Sequence, residues 1–404
     1  MNNIPVLTFH TVANHSDNRP WAFLSTSVSA FENSLKYLKK HNYQTVTLKE
    51  LYEWKQSGVK DNVKRVLIHF DDGFLDNYTV AYPILKKYGF KATVFISPEF
   101  VDPRPIIREL QYENIINNRK VDLENVWGYM SWEELKKVDS EGVIDVQAHA
   151  MTHTWYPNEA TLVDWHHPKD NYYWLVWNRY PESKPFWLTD YDETKVEYGT
   201  PVFKYAKAIS GKKFIPHQEV MDFCKEYYDL HHEEYVANSY DKNAKLTFVA
   251  EFNEKLKEKF GSNLGVFETD EEFLNRLKIE LVESKKIDEE RLEKKIEFLA
   301  WPGGAVSEEA YLIAKEAGYL AWTKKGKPYN EIGDDLQDIY RVGGWSGIKI
   351  KFNPVLLVER YFLKMQLHRA KGNNNIFNKL FAKAGNIYRS RHIKKCRKNG
   401  EKWK

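Results

Sequence analysis

The sequence predicts an α/β fold in which a parallel sheet closes into an irregular barrel. Short runs rich in apolar and β-branched residues recur along the chain, and each is followed by a segment with helical spacing. The runs are apolar at consecutive positions, which is typical of parallel strands covered by helices on both faces. The number of strand–helix units favours a barrel over an open sheet.

The elements follow one another in a regular order. The predicted strands are residues 5–10, 65–71, 91–97, 143–149, 296–301 and 319–323. The predicted helices are residues 29–41, 75–88, 131–138, 283–295 and 307–317. Capping boxes of the Ser/Thr-x-x-Glu type mark three helix starts, at Ser29 with Glu32, Thr47 with Glu50, and Ser131 with Glu134. Gly89 and Gly318 stand where helices are expected to end.

A large insertion interrupts this order. Residues from about 155 to 270 are polar, aromatic and rich in proline, which predicts an irregular segment, functional or a small subdomain. We therefore predict a barrel over residues 1–350, the insertion, and a basic helical extension over 351–404. We expect the insertion to lie over the barrel's C-terminal face. Six of its side chains could line a cleft, although solvated loop positions are the simpler interpretation for most: Trp165, His166, His167, Trp174, Trp177 and Trp187.

Bulk properties exclude several classes of protein. The chain has 404 residues, 42% of them hydrophobic, which allows a sizeable core. No run approaches the roughly 20 apolar residues of a membrane-spanning helix. The cysteines Cys224 and Cys396 are far apart, which indicates free thiols rather than a disulfide framework. The first residues show no signal-peptide pattern, so we expect a cytoplasmic protein if residue 1 is the native start.

The C-terminal region predicts a second location. Residues 355–365 and 376–381 combine bulky apolar and basic residues at near-helical spacing, and a strongly cationic tail follows from residue 388. Such a segment can lie on an anionic membrane surface. We therefore expect that the protein could also associate with the inner face of the membrane. The alternative is that the apolar stripe packs on the barrel and the tail is solvated.

Three strand ends carry groups suited to chemistry. Asp71 and Asp72 follow a buried run and point in different directions, so one could hold a metal while the other handles a proton. His149 and His153 could face one metal if their segment is helical or tightly turned. The Pro-Gly-Gly sequence that contains Gly303 could offer backbone N–H groups to an oxyanion. Taken singly, these motifs could equally be a capped loop, two surface histidines and a plain turn.

Together the motifs resemble the polysaccharide deacetylase (NodB-homology) family. The family's Thr-Phe-Asp-Asp-Gly corresponds to His69-Phe-Asp-Asp-Gly73, and its His-Ser/Thr-x-x-His to residues 149–153, with Ala150 in the Ser/Thr place. Residues 5–12 are similar to the family's opening Pro-Val-Leu-x-Tyr-His-x-Val, and residues 297–304 to its Phe-Ala-Tyr-Pro-x-Gly strand. The resemblance covers roughly residues 3–155 and 275–345.

The resemblance implies a barrel of the deacetylase type and a role for each matched residue. It implies Asp71 as the catalytic base and the N–H of Gly303 as the oxyanion donor. It implies Asp72, His149 and His153 as ligands of a divalent transition metal, most simply zinc. The reaction implied is metal-assisted removal of an N-acetyl group from an amino sugar in a polysaccharide, oligosaccharide or lipid-linked glycan.

Two departures from the family pattern change the expected machinery. The arginine that positions the base in the family is missing from its usual motif, and Arg341 is our candidate replacement. The family's late Leu-x-His acid has no match after Gly304, and the nearest string is Leu367-His368 in a basic helix. His10 could supply the acid instead, although a structural histidine is an equal reading.

Two other functions stay open at this point. One is a different amide hydrolase on the same fold, such as a deformylase acting on a lipid-linked amino sugar. The other is a saccharide-binding relative that has lost the catalytic acid.

Overall fold

The structure, a computed structural model, describes residues 3–13, 24–168, 170–238, 241–343 and 363–369, with single positions as far as residue 383. The chain divides into two compact units. The first, called here the barrel unit, comprises Met1–Ala150, Ser284–Gly304 and Lys315–Lys404. The second, the insertion unit, comprises Met151–Glu283 and Ala305–Ala314.

The strands and helices have the following bounds. The strands are β1 Asn3–Ile4, β2 Val6–Phe9, β3 Thr11–Val12, β4 Ser25–Thr26, β5 Tyr43–Thr45, β6 Lys64–Phe70, β7 Ala92–Ile96, β8 Ile144–Ala148, β9 Trp155–Trp165, β10 Pro201–Lys207, β11 Phe214–Pro216, β12 Gly265–Phe267, β13 Phe298–Leu299, β14 Ala321–Lys324, β15 Asn330–Glu331, β16 Asp338–Tyr340 and β17 Val342–Gly343. The helices are α1 Val28–Lys40, α2 Leu48–Ser57, α3 Tyr82–Tyr88, α4 Tyr112–Ile116, α5 Trp132–Ser140, α6 Tyr173–Arg179, α7 Gln218–Asn238, α8 Lys242–Phe260, α9 Asp270–Lys278, α10 Ser284–Leu292 and α11 Glu308–Glu316.

The barrel unit is built on one parallel sheet. Its strands run in the order β16-β14-β13-β8-β7-β6-β2-β17, and β5 also pairs with β6. The two end strands, β16 and β17, are separated in the chain by Arg341 alone, so the first and last strands of the sheet come together. The sheet is therefore a nearly closed parallel barrel, and the predicted fold class is confirmed.

Burial explains why these runs became strands. In β6, residues from Val66 to Phe70 are all buried, and all five residues of β7 are buried as well. A strand packed on both faces needs apolar residues at consecutive positions, which is the pattern that predicted it. Each fully buried aliphatic or aromatic side chain contributes about 1.5–3 kcal/mol.

Helix starts follow the capping pattern, with one exception. Thr47 and Ser131 each form the predicted capping box, with Glu50 and Glu134 respectively. The predicted box at Ser29 is wrong, because Ser27 caps α1 by accepting a hydrogen bond from the N–H of Ala30. Ser29 lies inside the first turn. The sequence did not predict strand β5, because three residues are too few to show a strand pattern.

The insertion unit is more regular than the sequence predicted. It contains the 11-residue strand β9, paired antiparallel with β10, and the helices α7 and α8 of 21 and 19 residues. Two of the prolines that suggested irregular chain lie at strand ends. Pro201 begins β10 and Pro216 ends β11. Proline is compatible with strand ends because a ladder hydrogen bond is not required there.

The insertion aromatics also correct a prediction. Solvated loop positions were the simpler interpretation for most of six side chains, but all six are buried, with exposures of 5% or less: Trp165, His166, His167, Trp174, Trp177 and Trp187. Trp165 packs against Tyr235 and Phe252, with ring centroids 5.1 and 5.0 Å away. These rings form the core of the insertion unit because a chain segment with few aliphatic residues buries its aromatic ones instead.

Other predictions are answered only in part. Cys224 is buried and forms no disulfide, while Cys396 lies outside the described residues. Residues 363–369 are helical, but most of the predicted extension over 351–404 lies outside the described residues. Within the described ranges, no helix combines the length and the apolar character needed to cross a bilayer.

Candidate active site

The two adjacent aspartates stand at the C-terminal end of β6. The Asp71 N–H donates to the carbonyl of Phe9, which continues the β2–β6 pairing by one residue. Asp72 then adopts a left-handed backbone, with φ of 74°, and Gly73 follows with φ of 69°. A Cβ atom on Gly73 would lie 2.9 Å from the Ile96 Cγ2 atom, so this turn is built for glycine. The turn separates the two carboxylates, as the sequence predicted.

Asp71 is buried yet surrounded by cationic and N–H-bearing groups. Arg341 Nη1 donates to both carboxylate oxygens, at 3.0 Å to Oδ1 and 2.7 Å to Oδ2. His69 Nδ1 lies 3.2 Å from Oδ1, and His10 Nε2 lies 3.7 Å from Oδ2. Burial by itself raises the pKa of Asp71, but the charge of Arg341 and the contact with His69 hold that pKa well below its usual range. The contacts around Asp71 therefore favour its ionised form.

Three buried side chains form a candidate metal centre. Within the described part of the chain, Asp72, His149 and His153 bring one ligand atom each to within 4.8 Å of one another. One carboxylate and two imidazoles are a donor set typical of a catalytic zinc-type ion, which keeps a further position open. The donor chemistry fits the metal that the resemblance implied.

The tautomer of His149 supports this fit. Its Nδ1 lies 2.7 Å from the carbonyl oxygen of Ala300, which can only accept, so Nδ1 carries the proton. In the neutral ring, Nε2 then presents its lone pair at 3.3 Å from the Asp72 carboxylate. Two electron-rich atoms at this distance repel one another unless a cation lies between them or a second proton binds the ring. The pair is arranged for a cation.

The loop that carries the two histidines is strained and firmly held. It is a tight turn rather than a helix, because Ala150 and His153 have positive φ of 60° and 44°. Non-glycine residues in this region cost about 1–3 kcal/mol and cluster at functional sites. Buried Glu280 holds the turn by accepting hydrogen bonds from the N–H groups of Met151 and Thr152, at 3.1 and 3.0 Å.

The remaining predicted residues lie at neighbouring strand ends. His10 directly follows β2 and is a quarter exposed, and Asn77 Nδ2 donates to its carbonyl at 2.7 Å. Burial holds the pKa of His10 below its ordinary value, and the nearby Asp72 and Asp71 offset only part of this effect. Gly303 lies in a short 3-10 turn after β13, exposed and with φ of 60°. Its role as an oxyanion donor stays a prediction.

The sequence did not single out His69 or Glu280 as site residues. His69 was visible as the histidine that replaces the family's threonine before Phe-Asp-Asp-Gly. No sequence motif pointed to Glu280, because it lies 128 residues from Thr152. Its carboxylate accepts hydrogen bonds from the hydroxyl and the N–H of Thr152. His368, in the string nearest to the family's acid motif, lies in the helical segment 363–369.

Residues 58–170 match the family model described as polysaccharide deacetylase. Over this segment the chain is similar to the polysaccharide deacetylase family. The segment contains all three candidate metal ligands and Asp71. The family's remaining motifs lie beyond it, and Arg341, which contacts Asp71, is far outside it.

Two curated proteins are similar to part of this chain. The chain is 32% identical to YxkH of Bacillus subtilis over 171 residues, which are 39% of this chain and 59% of that protein. It is 34% identical to the poly-beta-1,6-N-acetyl-D-glucosamine N-deacetylase of Staphylococcus aureus over 142 residues, 33% of this chain and 47% of the relative. The chain thus spans about half the length of these curated relatives.

A solved structure shows the same fold. The de-N-acetylase of Aggregatibacter actinomycetemcomitans is similar with a TM-score of 0.50 and 16% sequence identity. The match covers 86% of this chain and 97% of that structure. At this identity the likeness shows the fold alone.

Proposed function

We propose that the protein is a metal-dependent N-deacetylase of an amino-sugar glycan, with zinc as its metal. The observation that carries the proposal is an ionised, buried Asp71 next to the candidate metal centre of Asp72, His149 and His153. The name of the Staphylococcus aureus relative favours a poly-N-acetylglucosamine chain as substrate. Hydrolysis would break the amide C–N bond and release acetate and a free amine.

In this proposal Asp71 is the base. A carboxylate that is already ionised can take a proton from water when the water attacks the amide carbonyl. Arg341 keeps Asp71 ionised and holds its carboxylate through two contacts from one nitrogen. A divalent ion held by Asp72, His149 and His153 would act as a Lewis acid and acidify water.

Two further residues complete the chemistry. The N–H of Gly303 would donate to the carbonyl oxygen as negative charge develops on it. His10 would protonate the leaving amine, because its ring is partly exposed and lies 3.7 Å from the base. A proton taken up by Asp71 therefore has a nearby route to the leaving group.

Product analysis tests the proposed reaction. The zinc-loaded protein would be incubated with N-acetylated β-1,6-glucosamine oligosaccharides, with N-acetylated sugar nucleotides, and with N-formylated amino-sugar analogues. We expect equal amounts of free amine and acetate from an oligosaccharide, and neither product with the Asp71→Asn variant. Formate release alone would replace the proposal with a deformylase. Saccharide binding without any free amine would indicate a binding protein.

We also propose that the C-terminal region contacts an anionic membrane surface. Ile376, Phe377 and Leu380 are apolar side chains in the described part of this region, and they are 67%, 71% and 56% exposed. Residues 388–404 contain eight Lys or Arg and one Glu. Apolar side chains beside a cationic segment are typical of interfacial binding, and each cation near the surface adds about 1 kcal/mol.

Co-sedimentation with vesicles tests this contact. We expect the full chain to pellet with vesicles containing phosphatidylserine, less so in high salt, and a chain ending at Gly347 to remain in the supernatant. A triple variant with serine at positions 376, 377 and 380 serves as the matched control for the apolar component. If the full chain stays in the supernatant at low salt, the proposal is wrong.

A further inference from the structure

We propose that His69 is a positioning residue that holds the Asp71 carboxylate in its working orientation. The inference rests on the proposed role of Asp71 as the base. In the family pattern this place before Phe-Asp-Asp-Gly is threonine, whose short side chain cannot make the contact that the imidazole makes here. The chain also lacks the family's usual arginine, so its base is held by a different set of groups.

The surroundings of His69 leave its ring one orientation. It is fully buried, and it packs edge-on against Phe95 with ring centroids 5.3 Å apart. Nε2 lies 2.8 Å from the Thr8 hydroxyl on the neighbouring strand β2. Nδ1 lies 3.2 Å from Asp71 Oδ1, and its N–H is not aligned for a hydrogen bond with that oxygen or with another described group, so the contact with Asp71 is electrostatic. The polar group that Nδ1 serves is therefore Asp71.

The contacts also determine which nitrogen carries the proton. A hydroxyl can donate or accept, so Thr8 is compatible with either tautomer of the ring. A lone pair on Nδ1 would lie 3.2 Å from an anionic oxygen, which is unfavourable. The stable arrangement has Thr8 donating to Nε2 and the proton on Nδ1, the ring nitrogen nearer to the Asp71 carboxylate. Burial lowers the pKa of His69 to about 4, so the ring is neutral at pH 7.

His69 and His10 contact different oxygens of the base. His69 lies against Oδ1, whereas His10 lies nearer to Oδ2. Arg341 reaches both oxygens from one nitrogen and so does not by itself prevent the carboxylate from rotating. Adding the His69 contact at Oδ1 fixes the rotation and keeps Oδ2 turned toward His10. His69 thereby selects the oxygen that takes part in proton transfer.

Two substitutions separate positioning from simple packing. His69→Asn places an amide N–H close to where Nδ1 stands, and His69→Phe fills the space without a donor. We expect His69→Phe to lower kcat about 10- to 100-fold and to leave KM within about 2-fold of the wild-type value. A misplaced base slows the chemical step but does not change how tightly the substrate binds. We expect His69→Asn to recover most of the rate. Bound metal should equal the wild-type amount in both variants.

A crystal structure of each variant gives a readout that does not need activity. In His69→Phe we expect the Asp71 carboxylate to rotate, so that its Oδ1 loses the contact with Arg341 Nη1. In His69→Asn we expect the carboxylate to keep its orientation and this contact. An unmoved carboxylate in His69→Phe would overturn the proposal, as would equal loss of kcat in both variants. If the wild-type protein deacetylates nothing, the proposed function fails, but the two structures still decide the role of His69.

Discussion

Two buried aspartates of the barrel unit have opposite environments. Asp71, at the end of β6, is 3% exposed and has Arg341, His69 and His10 around it. Asp288, in the middle of α10, is fully buried, and neither of its carboxylate oxygens has a hydrogen-bond partner among the described residues. The pKa of Asp71 is held well below its usual range, whereas burial raises that of Asp288 well above it.

The difference shows what makes a buried carboxylate useful as a base. Burial alone favours the protonated form, which cannot accept a proton. Partners of positive charge reverse this effect at Asp71. Asp72 belongs with Asp71 in this comparison, because a cation held with His149 and His153 would balance its charge.

The largest expected effect is on the base itself. Asp71→Asn removes the proton acceptor while keeping the size and shape of the side chain. We expect turnover to fall by at least about 10²–10⁴-fold, the usual contribution of general base catalysis, with metal content unchanged. Steady-state rates together with metal analysis of the same sample measure both quantities. Loss of metal along with activity would mean that the roles of Asp71 and Asp72 are exchanged.

The second prediction concerns the cation expected beside Asp72. His149→Ala removes one of the three proposed ligands and should weaken zinc binding more than about 100-fold, since losing even supporting partners of ligands costs 10- to 100-fold. Competition with a chelating dye measures the affinity. His217→Ala, at a half-buried histidine of the insertion unit, is the matched control and should bind zinc normally. Equal affinity in both variants would contradict the assigned centre.

A third experiment makes Asp71 resemble Asp288. Arg341→Leu removes the main positive partner, and we expect the free energy of unfolding at pH 7 to fall by about 3–5 kcal/mol, because a buried charge loses its compensation. Denaturant unfolding of the metal-free protein measures the change. The double variant Asp71→Asn/Arg341→Leu should regain most of it. Additive losses in the double variant would show that the two side chains are not coupled.

The smallest expected effect concerns Asp288 and depends on pH. Because its folded-state pKa is raised, the folded protein binds more protons than the unfolded chain above about pH 4, and stability falls as pH rises toward the folded pKa. Asp288→Asn cannot ionise and should lack this fall. In acid, we expect the free energy of unfolding of the variant to be closest to that of the wild type. At pH 7, we expect it to be larger than the wild-type value by about 1 kcal/mol or more.

Unfolding curves at several pH values check the Asp288 prediction. Glu293→Gln, at a carboxylate whose side chain is 79% exposed, is the control and should follow the wild type. A stability difference between Asp288→Asn and the wild type that does not change with pH would show that Asp288 is ionised or partnered in the folded protein.

The sequence by itself determined the parts of this protein that depend on local pattern. Consecutive apolar residues predicted the barrel strands, and the polar residues just after them predicted Asp71, Asp72 and His149 at the same edge of the sheet. This works because the C-terminal ends of parallel strands meet at one edge whatever lies between them in the chain. The turn that carries His153 was predicted only as one of two possibilities.

Only the tertiary structure decided which groups surround those residues. Arg341 is 270 positions from Asp71. Charged residues flank Asp288 in sequence, yet its carboxylate oxygens have no hydrogen-bond partner in the described part of the chain. The insertion appeared irregular because its apolar surface is aromatic and spread over distant segments that pack together only when folded. Side-chain environment depends on how strands and helices pack, and packing brings together residues whose separation along the chain carries no local signal. The charge state of a buried carboxylate is therefore a property of the fold.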